Sequence, residues 1–293
     1  IRDDILKDIY LEQPDVICFS CYIWNISFVK ELVPDLKKIL PHVDFWAGGP
    51  EVSYDAVDFL KKTPAFFGVM VGEGEDTFHE LAGYYIERKP ENLKEIRGVA
   101  FHDETKVPDI VHTGWRELMD LSKVPFAYSN LTEFKNRIIY YESSRGCPFS
   151  CSYCLSSIDK KLRFRDIELV KNELQFFIDN KVPQVKFVDR TFNCKHDHAM
   201  AIWRYITEHD NGITNFHFEI SADLLREEEL ALMKTMRPGL IQLEIGVQST
   251  NPQTIKAIRR TMDFEKLKGI VEQIHGFGNI HQHLDLIAGL PYE

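Results

Sequence analysis

The chain has 293 residues, of which 44% are hydrophobic and 12% aromatic, so it is long enough for about two domains with packed cores. Its formal net charge of −10 argues against a nucleic-acid backbone or an anionic membrane as the main partner, because either would need a basic surface. No apolar run approaches the roughly 18 residues that span a bilayer. Six cysteines are too sparse for a disulfide scaffold, which favours a reducing, cytoplasmic setting.

The first part of the chain alternates between predicted strands and helices. Apolar, β-rich runs occur at residues 15–23, 43–49 and 66–75, and residues 27–40 and 77–87 have helical spacing. Residues 97–111 then predict a hairpin with its turn at Asp103–Thr105. This alternation is typical of a doubly wound α/β domain with a parallel sheet, which we place at residues 1–112.

A second alternating series follows a loosely patterned linker at residues 113–135. Its five predicted strands, joined by helical segments, are Ile138–Glu142, Gln184–Val188, Asn215–Ser221, Ile241–Val247 and His281–Ala288. Parallel strands with helical crossovers predict a partial (β/α)6 barrel at residues 136–293. The chain begins at Ile1 rather than Met and stops at a strand end, so we expect a fragment in which both domains are incomplete.

Three of the six cysteines are crowded into the segment "ESSRGCPFSCSYCLSS". Cys147, Cys151 and Cys154 follow the first strand of the second series, at the strand end where barrels of this kind carry their chemistry. Thiolates suit zinc and iron–sulfur clusters, but a structural zinc site needs four ligands. Three thiolates on a [4Fe–4S] cluster leave one iron open for a substrate or cofactor. A zinc site and ordinary buried thiols are the alternatives.

The run Cys147-Pro-Phe-Ser-Cys151-Ser-Tyr153-Cys154 resembles the signature of the radical SAM superfamily. The resemblance implies that the three cysteines bind a [4Fe–4S] cluster whose open iron binds S-adenosylmethionine (SAM). It also implies that one electron cleaves SAM to methionine and a 5′-deoxyadenosyl radical, which abstracts hydrogen from a substrate. An enzyme of this kind, an oxidoreductase or transferase, needs a reductant such as flavodoxin or ferredoxin. Its substrate is unknown.

Four further residues resemble the SAM site of the oxygen-independent coproporphyrinogen dehydrogenase branch of that family. The matching residues imply that Gln248 and Asp285 hold the ribose hydroxyls, while Glu219 and Arg260 contact the methionine end, beside Tyr153. Taken singly, Asp285 also fits an ordinary strand-end residue, and Arg260 also fits a surface cation at a helix end.

One segment departs from the family pattern. Many members have Gly-Gly-Glu after the second barrel strand, where backbone groups meet the methionine amine, whereas this chain has Val-Asp-Arg-Thr-Phe-Asn at residues 188–193. We expect Asp189 or Asn193 to replace the missing contact.

Three loops of the first domain, at Ser20–Asn25, Gly48–Ser53 and Val71–Asp76, follow strands and open onto helices. The glycines of the second and third loops permit close approach of a ligand to the backbone, and all three loops lie at the sheet edge where α/β domains bind ligands. The loops resemble those around the nucleotide tail of cobalamin in cobalamin-binding domains, whose Asp-x-His-x-x-Gly motif would lie before residue 1. The resemblance implies contacts from Ser20, Tyr22, Asn25, Gly48, Gly49, Pro50, Glu51, Gly72, Glu73, Gly74 and Glu75.

Two other groups of residues could suggest metal sites. Cys18 and Cys21 have C-x2-C spacing, but residues three apart in a strand point to opposite faces, so we expect ordinary thiols. His275, His281 and His283 lie near one another in sequence and are expected to be ordinary hydrogen-bonded histidines.

The sequence therefore predicts a cobalamin-associated radical SAM enzyme that transfers a methyl group or rearranges a substrate. Two alternatives remain, namely a radical SAM enzyme whose first domain is only a docking module and a non-catalytic metal-binding scaffold. A lack of corrin absorbance in the intact protein would favour the first alternative, and bound zinc without iron would support the second.

Overall fold

The computed structural model describes residues 1–90, 92–103, 105, 109–158 and 161–293. It divides the chain into two compact units, Ile1–Met119 and Asp120–Glu293, and the predicted linker is shared between them. Glu104, in the predicted turn of the first-domain hairpin, lies outside the described residues. Within them, no helix is both long and apolar enough to cross a lipid bilayer.

The first unit is a five-stranded sheet with helices between its strands. Its elements are α1 (Arg2–Glu12), β1 (Val16–Ser20), α2 (Ile26–Ile39), β2 (Asp44–Gly48), α3 (Pro50–Ser53), α4 (Ala56–Lys62), β3 (Gly68–Met70), α5 (Glu75–Glu87), β4 (Val99–His102) and β5 (Ile110–His112). Strands β1, β2 and β3 are parallel, as predicted, whereas β4 is antiparallel to β3 and β5 is antiparallel to β4, which gives the sheet order β1-β2-β3-β4-β5. The sheet is therefore mixed, because the predicted hairpin joins it as its last two strands.

The core of the first unit follows directly from the sequence pattern. In α2, the residues Val29, Leu32, Val33 and Leu36 are buried, which is the i, i+3, i+4, i+7 stripe of an amphipathic helix. Residues 45–48 of β2 are all buried, as expected for a central parallel strand covered on both faces. Because β1, β2 and β3 are parallel, their carboxyl ends meet at one edge of the sheet.

The second unit contains a parallel sheet of five strands in the order β6-β9-β10-β11-β12. Its elements are β6 (Ile139–Tyr141), β7 (Ser144–Arg145), β8 (Arg163–Phe164), α6 (Ile167–Asp179), β9 (Gln184–Phe187), α7 (His196–Glu208), β10 (Asn215–Ile220), α8 (Glu227–Thr235), β11 (Ile241–Gln248), α9 (Pro252–Ala257), α10 (Phe264–Phe277) and β12 (His281–Leu286). Each of the five predicted strands is present. Within the described residues the sheet is open, with β6 and β12 at its edges.

The two faces of this sheet differ in polarity. Alternate residues such as Phe218, Leu243 and Ile245 are fully buried in a large hydrophobic core. The opposite face, which we call the polar face, carries Lys186, His217, Glu219, Glu244 and Asp285 at the intervening positions. Since parallel partners point the same way, the strand register brings these side chains side by side.

Candidate functional site

The three clustered cysteines lie in a loop that is closed at its base by a short strand pair. Strand β7 pairs antiparallel with β8, so the chain returns to its starting point after residues 146–162. Gly146 has a φ of +97°, and a Cβ on it would lie 2.6 Å from the carbonyl oxygen of Lys161. This turn therefore requires glycine, both for its backbone conformation and for the close approach of the returning chain.

Cys147 and Cys151 are buried, Cys154 is partly exposed, and none of the six cysteines, all of which lie within the described residues, forms a disulfide. A backbone hydrogen bond of 2.9 Å from Ser152 to Ile258 fixes the loop against the end of α9. Among the described residues, no three His, Cys, Asp or Glu side chains converge closely enough to hold a single metal ion. A [4Fe–4S] cluster does not require that convergence, because each thiolate binds a different iron atom.

Three of the predicted SAM residues lie together beside this loop. Arg260 donates from Nη1 to the Tyr153 hydroxyl at 3.4 Å and from Nη2 to the carbonyl oxygen of Gly246. The Gln248 side chain folds over Gly246, where a Cβ would meet its amide nitrogen at 2.2 Å. Burial raises the pKa of Tyr153, and its contact with Cys151 raises it further, whereas Arg260 opposes the shift. The structure thus joins Tyr153, Gln248 and Arg260 to the cysteine loop.

Glu219 and Asp285, the other two residues matched to the SAM site, lie on the polar face, where Glu219 belongs to an ionic network. Lys186 Nζ is 2.8 Å from Glu244 and 3.8 Å from Glu219, and His217 Nε2 is 3.0 Å from Glu244. Burial raises the pKa of Glu219, and the neighbouring Glu244 carboxylate raises it further. Sequence reasoning missed Lys186, His217 and Glu244, although their alternate positions in predicted strands were the available signal.

Asp189 and Asn193 are buried rather than open to a ligand. The Asp189 carboxylate accepts hydrogen bonds from the backbone N–H of Ser143 at 2.9 Å and from the hydroxyls of Ser143 at 2.7 Å and Ser144 at 2.5 Å. The Asn193 amide pairs with both backbone groups of Ser221, at 2.9 and 3.0 Å. These hydrogen bonds connect both side chains to other segments of the second unit, while their contact with SAM stays a prediction.

In the first unit, hydrogen bonds connect the three loops at the carboxyl edge of the sheet. Cys21 donates from its backbone N–H to Gly48 at 2.7 Å, and Gly49, with a φ of +98°, leaves only 2.6 Å between its Cβ position and the Cys21 oxygen. The Ser53 hydroxyl donates to the Gly49 oxygen at 2.9 Å and accepts from the Gly72 N–H at 3.2 Å. The glycine positions therefore hold the three loops close together.

The first of these loops is shaped by its own side chains. Asn25 accepts from the Tyr22 N–H and donates to the Ser20 oxygen, each at 2.8 Å. Tyr22 stacks on Trp24 with 4.5 Å between ring centroids, and Trp24 is 75% exposed. The other predicted cobalamin residues lie at the starts of α3 and α5 or just before them, namely Pro50, Glu51, Glu73, Gly74 and Glu75. Their contacts with cobalamin stay predictions.

The remaining cysteine pair lies in the first unit, whereas His281 and His283 lie on β12, where His283 is the register partner of Glu244 on the polar face. Strand β1 ends at Ser20, so Cys18 lies within the strand and is exposed, while Cys21 lies beyond it and is buried. The rings of His281 and His283 are 6.4 Å apart, and His283 Nε2 is 3.9 Å from an Asp285 oxygen.

Comparison with known protein families identifies the second unit. The family model described as the radical SAM superfamily matches residues 141–293, which are 153 of the 293 residues. The chain belongs to the radical SAM superfamily. A second family model, the B12 binding domain, matches residues 2–82.

Several relatives of this radical SAM chain are methyltransferases. The 2-(S-pantetheinyl)-carbapenam-3-carboxylate methyltransferase of Streptantibioticus cattleyicolor is 26% identical over 97% of this chain and 43% of its own. The cobalamin-dependent radical SAM methyltransferase TokK of Streptomyces tokunonensis is 27% identical over 96% of this chain and 43% of its own. The hopanoid C-3 methylase of Methylococcus capsulatus is 25% identical over 97% and 55%. The chain therefore spans about half the length of these relatives.

Solved structures share the fold of the chain. The cobalamin-dependent SAM radical enzyme OxsB, with aqua-cobalamin bound, has a TM-score of 0.78 and 19% identity, covering 98% of this chain and 43% of its own. The methyltransferase TsrM of Kitasatospora setae, with cobalamin and a [4Fe–4S] cluster bound, has a TM-score of 0.75 and 16% identity, covering 99% and 61%. At these identities, the likeness establishes the α/β fold of this radical SAM chain.

The cofactors of a radical SAM chain are a [4Fe–4S] cluster and SAM, and the B12 binding domain supports cobalamin as well. The residues present fit the cluster, since three cysteines outside any disulfide, two of them buried, share one loop whose glycine turn is sterically required. They also fit a bulky ligand at the edge of the first sheet, where backbone groups of three loops, two of which contain glycine, lie close together.

Proposed function

We propose that the chain holds the cofactor-binding domains of a cobalamin-dependent radical SAM methyltransferase whose substrate is not identified. One observation carries the proposal, namely that a B12 binding domain and a radical SAM domain with a complete C-x3-C-x2-C loop occur in one chain. The names of the relatives support methyl transfer rather than another outcome.

In this proposal, the thiolates of Cys147, Cys151 and Cys154 bind the cluster and leave its fourth iron open to SAM. When bound, the cluster and SAM supply a 5′-deoxyadenosyl radical after one-electron reduction, and cobalamin supplies a carrier for the methyl group. The burial of Cys147 and Cys151 restricts water around the cluster, which is the protein's part in such chemistry.

The side chains beside the loop are suited to orient SAM. Arg260 carries a guanidinium that can pair with the methionine carboxylate in bidentate fashion, and its buried Nε has no hydrogen-bond partner among the residues that the structure describes. Gln248 and Asp285 offer groups that share protons with ribose hydroxyls. Glu219 lies near Lys186, and the raised pKa of its carboxyl leaves it responsive to an approaching ammonium group.

The test is to load the chain anaerobically with iron and sulfide and then add SAM, dithionite and cobalamin. We expect 5′-deoxyadenosine and S-adenosylhomocysteine, the latter only when cobalamin is present. Cys151→Ala should abolish both products, whereas Cys18→Ala, which removes an exposed thiol of the first unit, should leave them unchanged.

The outcomes of this test separate the alternatives. Formation of 5′-deoxyadenosine without any effect of cobalamin on either product would contradict the methyltransferase proposal and favour a docking role for the first unit. Binding of zinc in place of iron, with neither product, would overturn the enzymatic proposal altogether.

A further inference from the structure

Residues 188–193, the segment that departs from the family pattern, are held at both ends by buried side chains. Asp189 accepts three hydrogen bonds from Ser143 and Ser144, which directly precede the cysteine loop. Four residues later, Asn193 pairs with both backbone groups of Ser221 at the end of β10. The residue midway between these two anchors, Thr191, is therefore fixed in position.

Thr191 presents its hydroxyl to the first cysteine of the cluster loop. Its Oγ1 lies 3.7 Å from Cys147 Sγ, within hydrogen-bond distance for sulfur, and both residues are at least nine-tenths buried. The same hydroxyl is 2.8 Å from the Arg190 carbonyl oxygen, to which it donates while Cys147 is a thiol. A thiolate ligand carries no hydrogen, so in the cluster-bound protein the hydroxyl is the only donor of the Thr191–Cys147 pair.

We propose that Thr191 is a positioning residue of the cluster, whose hydroxyl donates a hydrogen bond to the Cys147 thiolate and raises the reduction potential of the [4Fe–4S] cluster. A hydrogen bond to a ligating sulfur stabilises the more negative, reduced state, and it is one of the established levers on cluster potentials. On this account, Asp189 and Asn193 do not replace the missing Gly-Gly-Glu contact. They hold the segment so that Thr191 reaches Cys147.

This inference rests on the proposed ligation of the cluster by Cys147, Cys151 and Cys154. Its test is a redox titration of the reconstituted chain, followed by EPR spectroscopy, with Thr191→Val and Thr191→Ser. Valine keeps the shape of threonine without the hydroxyl, whereas serine keeps the hydroxyl. We expect the midpoint potential of Thr191→Val to shift to more negative values, and that of Thr191→Ser to stay close to wild type.

Three results are informative. Equal potentials in the wild type and Thr191→Val would overturn the inference while leaving cluster ligation intact. A wild-type chain that binds no cluster would instead overturn the ligation itself. If Thr191→Val loads poorly, Thr191→Ala replaces it, and failure of both to load while Thr191→Ser loads fully would show that the hydroxyl serves assembly rather than tuning, which also overturns the inference.

Discussion

Replacing Asp189 by Asn should remove a pH-dependent cost to the stability of the second unit. Asp189 is fully buried, and burial raises its pKa from the ordinary 3.8 to about 6 against the opposing hydrogen bonds of Ser144 and Ser143. One pKa unit corresponds to about 1.4 kcal/mol, so the charged carboxylate costs about 3 kcal/mol in the folded state. Asparagine can keep the hydrogen bonds, because its oxygen accepts from the Ser143 N–H and its amide donates to the two hydroxyls.

The sign of this effect follows from proton linkage. Between pH 3.8 and about pH 6 the folded state binds more protons at Asp189 than the unfolded state does, so this group makes stability fall as the pH rises. His198 contacts Ser143 at 3.0 Å, and burial lowers its pKa to about 4. Between pH 6.5 and about pH 4 the unfolded state binds more protons at His198 than the folded state does, so this group makes stability fall as the pH falls. The two slopes oppose each other in the wild type, so only the difference between wild type and variant isolates Asp189.

The assay is urea unfolding of the cluster-free chain labelled with fluorotryptophan, followed by 19F NMR. Trp203 is buried in the core of the second unit and gives that unit a resonance of its own. From pH 4 to pH 7, the free energy of unfolding of Asp189→Asn should rise relative to wild type by about 2 to 3 kcal/mol. An exposed carboxylate, Asp197→Asn, is the control. A difference in the free energy of unfolding that does not change with pH would mean that the buried carboxylate of Asp189 carries no such cost.

Three further predictions concern the elements around the two sites. Replacing Glu173 by Leu leaves the buried Arg165 guanidinium without its carboxylate and should cost about 3 to 5 kcal/mol, measured by the same unfolding assay. Gly146→Ala should lower the iron content after reconstitution, because its Cβ would lie 2.6 Å from a backbone oxygen, whereas Gly269→Ala, with open space around it, should load normally. Gly49→Ala places a Cβ 2.6 Å from another backbone oxygen and should weaken cobalamin retention on gel filtration, while unchanged retention would count against the loop site.

The strands and the cluster loop could be predicted from the sequence because both depend on local patterns. Apolar runs locate β9, β10 and β11 to within a residue or so, and the cysteine spacing marks its loop without any tertiary information. The strand pair β7–β8, which closes the cluster loop, escapes such reasoning. Each strand has only two residues, too few to show a period of two.

Other features depend on partners that are distant in sequence. Asp189 follows a strand, as a ligand-binding residue would, and only its hydrogen bonds to Ser143 and Ser144, some 45 residues away, show that it is buried and paired. Ser53 likewise joins two loops of the first unit through contacts that no local pattern encodes. The sequence alone does not distinguish a residue that binds a ligand from one that hydrogen-bonds to a distant part of the chain.

In the proposed function, the cysteine loop holds a cluster with one iron open to SAM. The most direct measurement is EPR spectroscopy of the reduced, reconstituted chain before and after the addition of SAM, together with alanine variants of Cys147, Cys151 and Cys154. We expect a [4Fe–4S] signal that changes on SAM addition and is lost in each variant. A wild-type signal that does not respond to SAM, or a signal that survives loss of any one of the three cysteines, would contradict it.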